Sequence, residues 1–228
     1  MKFKPLLGDQ LSGSLAGITA SHNRGGVYFR QRAIPVNPAT PQQVAVRGFM
    51  VTLTTAWVQT LTQAQRDAWD LYALQVLLPD ALGDPRNVGG IGMYVRSNVP
   101  RLQAGLPRVD PGPTVFALPT FTDPAIASIT APDALSLTFS DADGWANLDD
   151  SAMLVYGSRP QNESINFFKG PYRFAGAILG LTAGPPTSPA AIVMPFVLTA
   201  GQKAFVQARV TLADGRLSGT FRGEDIVV

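Results

Sequence analysis

The sequence predicts an α+β multidomain chain: an extended arm with a β-hairpin, two or three helices, then an all-β sandwich. Three observations carry this. Asn23-Arg24-Gly25-Gly26 separates two stretches of strand-forming residues in "ITASHNRGGVYFRQRAI". Apolar residues then recur at helical spacing from Val46 to Val76. From residue 121 onward, short alternating segments are divided by turn residues roughly every 8 to 15 positions.

The arm is expected over residues 1–39. Val27, Phe29, Gln31 and Ala33 alternate with Tyr28, Arg30, Arg32 and Ile34, the period of a strand. Asn and Gly accept positive φ, so the Asn-Arg-Gly-Gly stretch reads as the hairpin turn. A two-stranded hairpin is marginal alone in water, so it needs a surface to lie on. Pro35, Pro38 and Pro41 keep the following stretch extended up to Thr40.

A helical segment is expected over 40–105. Thr40 suits an N-cap, Pro41 the first helical position, and Gln43 closes a capping box. Val46, Phe49, Met50, Leu53 and Trp57 follow as an apolar stripe. A second start lies at "LTQAQRDAW", with Thr62 as cap and Gln65 closing the box. Trp69, Tyr72 and Val76 share its face. "LGDPRNVGGIG" reads as a loop. "MYVRSNVPRLQA" reads as a short third helix that Pro100 bends or ends.

"GLPRVDPGPTVFALPTFTDP" holds five prolines in twenty residues and predicts a linker over 106–120. The sandwich is expected over 121–228. Leu135, Leu137 and Phe139 alternate in one strand. Ala204, Val206, Ala208 and Val210 alternate with Phe205, Gln207, Arg209 and Thr211 in another. Asp214-Gly215 then turns the chain, and "RLSGTF" is the expected return strand.

Composition narrows the partners. Hydrophobic residues make up 46% of the 228 and charged residues 15%. So little charge suits a surface that packs against other chains. Residues 1–66 carry seven basic side chains against Asp9 alone. From 111 onward seven basic residues face ten acidic ones. The front is basic and the back mildly acidic. No stretch has the length of a signal peptide or a membrane span, so a protein without a membrane partner, made in a cytoplasm, is expected.

Catalytic chemistry finds little support. There is no cysteine, which removes thiolate ligands and cysteine nucleophiles. His22 is the single histidine and reads as structural. The Arg-Gly-Gly stretch lacks the phosphate-loop pattern and sits between strands rather than before a helix. Asp141, Asp143, Asp149 and Asp150 share a loop, but the calcium-loop spacing fails, so a solvated loop is the expectation. Trp57, Trp69 and Tyr72 read as helical core or interface rather than a ligand cage. No nucleophile elbow or spaced acid pair stands out. The expectation is no enzyme, no cofactor, no metal and no small-molecule substrate. Partner binding is assigned to Arg24, Tyr28, Phe29, Arg30 and Arg32 of the arm.

The motifs "SGSLAGITASHNRGGVYFRQRAIPVNPATPQQVAVR", "AWVQTLTQAQRDAW" and "MYVRSNVPRLQAGLP" cover roughly residues 8–108. Together they resemble a recurrent family of tailed-bacteriophage and prophage proteins. "AGQKAFVQARVTLADGRLSG" is similar to the last hairpin of a fibronectin-III or immunoglobulin-like sandwich. The resemblance implies a virion structural protein, assembled in the host cytoplasm, whose partners are other virion proteins and itself as a homo-oligomer. It implies attachment to capsid, neck or tail subunits, with the sandwich as decoration, and transfers no catalytic residue. The alternative is a nucleic-acid-binding protein that uses the basic front, in which the arm arginines contact DNA.

Overall fold

The structure, a computed structural model, describes residues 2–3, 12–23, 26–79 and 83–228. It is an α+β fold of three helices and antiparallel sheets. The chain divides into two compact units, Met1–Pro41 and Gln42–Val228.

The first unit is a four-stranded antiparallel sheet. Its strands are β1 (Lys2–Phe3), β2 (Gly13–Leu15), β3 (Ile18–Asn23) and β4 (Gly26–Gln31), in the order β1-β4-β3-β2. The hairpin expected from the Asn-Arg-Gly-Gly stretch is β3–β4, and Asn23 pairs with Gly26 at its closing end. Arg24 and Gly25 lie outside the described residues. The sequence reading stopped at two strands. β2 adds a third through a tight turn in which Ala16 takes a φ of 49°, in the left-handed region. The Arg32 N–H donates to the Gly17 carbonyl at 2.8 Å and ties the end of β4 to that turn.

The second unit begins with helices. α1 spans Pro41–Gln59 and starts at the proline, whose fixed φ and missing N–H suit a first helical turn. α2 spans Gln63–Gln75, and its capping box is formed. The Gln65 N–H donates to Thr62 Oγ1, and the Thr62 N–H donates to Gln65 Oε1 at 2.9 Å. "LGDPRNVGGIG" is not all loop. Leu78–Pro79 (β5) pairs with Pro85–Arg86 (β6), and α3 (Gly90–Gln103) starts inside the Gly-rich run. Pro100 does not end α3, which runs on to Gln103. Pro100 is buried, and the guanidinium of the next residue, Arg101, donates to the Pro107 and Leu212 carbonyls.

The helices enclose one apolar cluster. Leu53 and Ala56 of α1, Trp69, Tyr72 and Ala73 of α2, and Met93 and Tyr94 of α3 are almost fully buried in it. Burying one large apolar side chain contributes about 1.5–3 kcal/mol before entropy is counted, so this cluster is enough to fix three helices. The proline-rich stretch from 106 to 120 lies against it. Trp69 Nε1–H donates to the Asp110 carbonyl at 2.9 Å, and the Asn98 side-chain amide donates to the Val109 carbonyl and accepts from the Val109 N–H.

Seven strands follow. β7 (Ala125–Thr130), β8 (Ala134–Thr138) and β11 (Ala190–Val193) form one sheet, in the order β11-β8-β7. β9 (Ala152–Gly157), β10 (Arg173–Leu179), β12 (Lys203–Thr211) and β13 (Phe221–Ile226) form the other, in the order β10-β9-β12-β13. Leu135 and Leu137 from the first sheet share a core with Met153, Val155, Val206, Ala208 and Val210 from the second. The Asp214-Gly215 turn forms, with Gly215 at φ 86°. The return strand starts later than expected. Leu217 makes only an isolated bridge to Thr211, and Ser218 Oγ accepts from the Val210 N–H. The ladder proper resumes at Phe221, opposite Ala208.

The other face of β12 and β9 is covered too: Leu154 and Thr211 are fully buried and Phe205 nearly so. Arg96 and Arg101 of α3 donate to the carbonyls of Leu217, Ser218 and Leu212 at that end of the sheet.

Candidate functional site: two apolar interface surfaces

Antiparallel partners point their side chains to the same side, so the register defines the two faces of the arm sheet. Ile18, Ala20 and His22 of β3 share a side with Gln31, Phe29 and Val27 of β4 and with Leu15 of β2. Thr19 and Ser21 share the other with Arg30, Tyr28 and Ser14, and Ser14 Oγ lies 2.8 Å from Thr19 Oγ1. The sheet is therefore apolar on one side and polar and basic on the other.

The apolar side is concave. Leu15, Ile18, Ala20 and Phe29 line a hollow of about 440 Å³. Leu15 is 85% exposed and Ile18 53%. Sequence reading placed Tyr28, Phe29, Arg30 and Arg32 at a partner surface. Tyr28 is half-buried, Phe29 is 39% exposed, and Arg30 and Arg32 are exposed. Arg24 falls outside the described residues. Leu15 carries no readable pattern, because β2 is only three residues long. The period-2 spacing of Ile18 and Ala20 was the available signal.

The aromatic residues singled out on the helices belong to the core. Trp69 and Tyr72 are fully buried, and Trp57 packs on the same cluster. The ring of Tyr94, not singled out from sequence, joins them, 5.6 Å from Trp57 and 5.5 Å from Trp69. Its hydroxyl donates to Asp110 Oδ1 at 3.1 Å. Burial first, and then the Asp110 charge, raise the Tyr94 phenol well above its ordinary range.

The outer helix faces are unusual. Val44, Val51 and Val58 recur every seven residues along α1 and are all exposed, as is Met50. Arg47 is the one charged residue in the nineteen of that helix. Leu71, Leu74 and Leu77 are exposed on and just beyond α2. Scattered exposed apolar residues are normal, but here they form a spaced row on a nearly uncharged helix.

A second feature escaped sequence reading, a cleft of about 560 Å³ between the first half of α1, the end of α3 and the exposed part of β9–β10. Its residues lie near positions 45, 103, 156 and 173, too far apart in sequence to form a pattern.

The acidic loop is tied down by its own neighbours. Asp143 accepts from the N–H and hydroxyl of Thr122, and Asp149 accepts from the Thr182 N–H. His22 is exposed, opposite Val27 in the ladder. Among the described residues, no group of three or more His, Cys, Asp or Glu is placed to hold a metal ion. Among the same residues, no helix is long and apolar enough to cross a membrane. Compared with protein-family models and with curated proteins, the chain matches none.

Proposed function

We propose that the chain is a bacteriophage virion structural protein that clamps onto neighbouring capsid, neck or tail subunits. The arm sheet and the outer helix faces make the contact, and the seven-strand region is displayed as decoration. The observation that carries this reading is the hollow apolar side of the arm sheet. Leu15 and Ile18 of this short sheet are turned to water, and another surface over them would add to the burial that Ala20 and Val27 already provide. At about 25 cal/mol per Å² of apolar area, covering it supplies docking energy, and Arg30 and Arg32 set register through charge.

The display module is read as a fibronectin-III-like sandwich. Seven strands in two antiparallel sheets around one core support that reading. In a constant-type immunoglobulin domain the fourth strand joins the sheet of the first two. Here the fourth, β10, pairs with the third, β9, which favours the fibronectin-III variant.

The test is deletion of residues 1–39, with the truncated chain supplied in cells that assemble particles. Purified particles lack the truncated protein, while its circular dichroism and melting show that the remainder stays folded. Incorporation at the full-length level would overturn the reading. The second reading, DNA contact, rests on Tyr28 and Arg30 sharing the polar face of the arm. It requires DNA binding by the full chain that weakens steeply with salt and is lost with the arm.

A further inference from the structure

The 560 Å³ cleft lies wholly within residues 42–228 and is independent of the arm. Its volume falls in the range of small-ligand sites, roughly 300–1,000 Å³. Four aromatic rings face it: Phe49, Tyr156, Tyr172 and Phe174. Tyr156 and Phe174 meet edge to face at 5.5 Å, which fixes both rings. Arg47 and Arg173 stand at the wall, and none of the described residues lining the cleft is acidic.

Positive charge extends beyond the wall. The Arg173 guanidinium lies 5.0 Å from the centre of the Phe196 ring, and Arg159 lies 5.7 Å from the same ring. The Phe196 ring holds Arg173 in place, and among the described residues no carboxylate pairs with it. Behind Tyr156 stands Arg209, whose Nε is buried without a hydrogen-bond partner among the described residues. Arg96 lies close to Arg209, and among the described residues neither is ion-paired. Burial first, and then the Arg209 charge, lower the Arg96 guanidinium to about 10, so it stays charged at neutral pH.

Rings alone would suit any apolar ligand, and arginines alone any anion. Rings beside Arg173, which pairs with no carboxylate among the described residues, select a planar group that carries a negative charge. Gln42, Gln43 and Gln103 add side-chain amides, which donate to and accept from polar edges of such a group. We propose that this cleft binds a nucleotide unit, the base stacked among Phe49, Tyr156, Tyr172 and Phe174 and the phosphate held by Arg173. Aromatic stacking beside a basic groove is the chemistry by which proteins hold unpaired nucleotides. The unit has two possible sources, a free nucleotide or a single-stranded nucleic acid, and the experiment separates them.

The full-length chain is titrated at low salt with dTMP, with thymidine, and with a fluorescent oligothymidylate of about eight nucleotides. Arg173→Gln removes one phosphate contact at an exposed position. Ala45→Phe fills the cleft from α1 without removing a polar group. Arg30→Gln/Arg32→Gln serves as the arm control. The expected result is binding of the phosphate-bearing probes that Arg173→Gln and Ala45→Phe each weaken about tenfold, with melting unchanged and the arm control binding as wild type. An oligonucleotide bound far more tightly than dTMP assigns a single strand, and equal affinity assigns the free nucleotide. Three outcomes overturn the proposal: no binding of either probe at about 1 mM, thymidine bound as tightly as dTMP, or loss of binding only in the arm control.

Discussion

Arg101 of α3 donates from Nη1 to the carbonyl of Leu212, just past β12, at 2.7 Å, and the whole side chain is shielded from solvent. The same nitrogen reaches the Asp150 carbonyl at 3.0 Å, and Nε donates to the Pro107 carbonyl at 3.0 Å. One guanidinium thus satisfies carbonyls from three segments far apart in sequence. Burial lowers its affinity for a proton, yet it remains the charged hub. Arg101→Met leaves those carbonyls buried and unpaired. The expected cost is about 3–5 kcal/mol, read as a lower urea midpoint. Arg101→Lys fails to restore it, because an ammonium cannot fan its donors as the planar fork does. A loss under about 1 kcal/mol in Arg101→Met would show that the hub is dispensable.

Gly112 marks a close approach of the proline-rich stretch to α2. A Cβ there would sit 2.7 Å from the Ala68 carbonyl carbon and 2.8 Å from the Trp69 nitrogen, both backbone atoms that cannot swing aside. Gly112→Ala therefore forces the 106–120 segment off the helix and strains the Trp69–Asp110 hydrogen bond. The expected loss is about 2 kcal/mol or more in urea unfolding, with Trp69 fluorescence moving toward that of exposed indole. Wild-type stability and fluorescence in Gly112→Ala would mean that the segment does not bear on α2.

Features that depend on near neighbours in sequence were legible. The Thr62–Gln65 capping box, the β3–β4 hairpin and the buried pair Leu135 and Leu137 each follow from spacing within a few residues. Features set by distant partners were not. Arg101 looks like a solvated residue at a helix end, because two of the carbonyls that satisfy it lie 49 and 111 residues away. Burial on both sides of β12 was hidden for the same reason, since Arg209 and Gln207 give the strand a polar row that α3 partly covers. At the arm, alternation gave the Tyr28–Arg30 face, whereas the apolar hollow needed β2, whose three residues carry no period.

Alkaline pH tests the buried phenols of the helices and of β9. The Tyr72, Tyr94 and Tyr156 phenols all lie above their ordinary value of 10, chiefly because burial penalises the phenolate. The folded state then binds more protons than the unfolded state above pH 10. The sign of linkage makes that stability fully present below pH 10 and lost as pH rises further. Arg96 works the other way. Its folded value of about 10 lies below the ordinary 12.5, so its term favours folding as pH rises between the two. Burial lowers Arg101 and Arg209 in the same way and raises Tyr172 with the other phenols, so four phenols stand against three guanidiniums, and the expected net change is a fall in stability. Urea unfolding at pH 8 and pH 11 should show the drop, and Tyr94→Phe should reduce it after about 1 kcal/mol of lost hydrogen bonding. A pH dependence in Tyr94→Phe identical to wild type would contradict the burial of this phenol.

Val51 and Val58 stand on the outward side of α1, 64% and 69% exposed, while Leu53 and Ala56 of the same helix face the core. A helix of nineteen residues is about 28 Å long, enough to present a continuous seam. Valines seven residues apart match the spacing that packs one helix along another. If the seam contacts a neighbouring subunit, charge there disturbs assembly and leaves folding alone. Val51→Glu/Val58→Glu is expected to unfold within about 0.5 kcal/mol of wild type, because surface positions tolerate change. The same variant should fail to enter particles and should sediment as a smaller species than wild type, since a glutamate buried in an apolar seam has no partner. Normal incorporation would remove α1 from the contact surface, and a large loss of stability would place its outer face inside the fold instead.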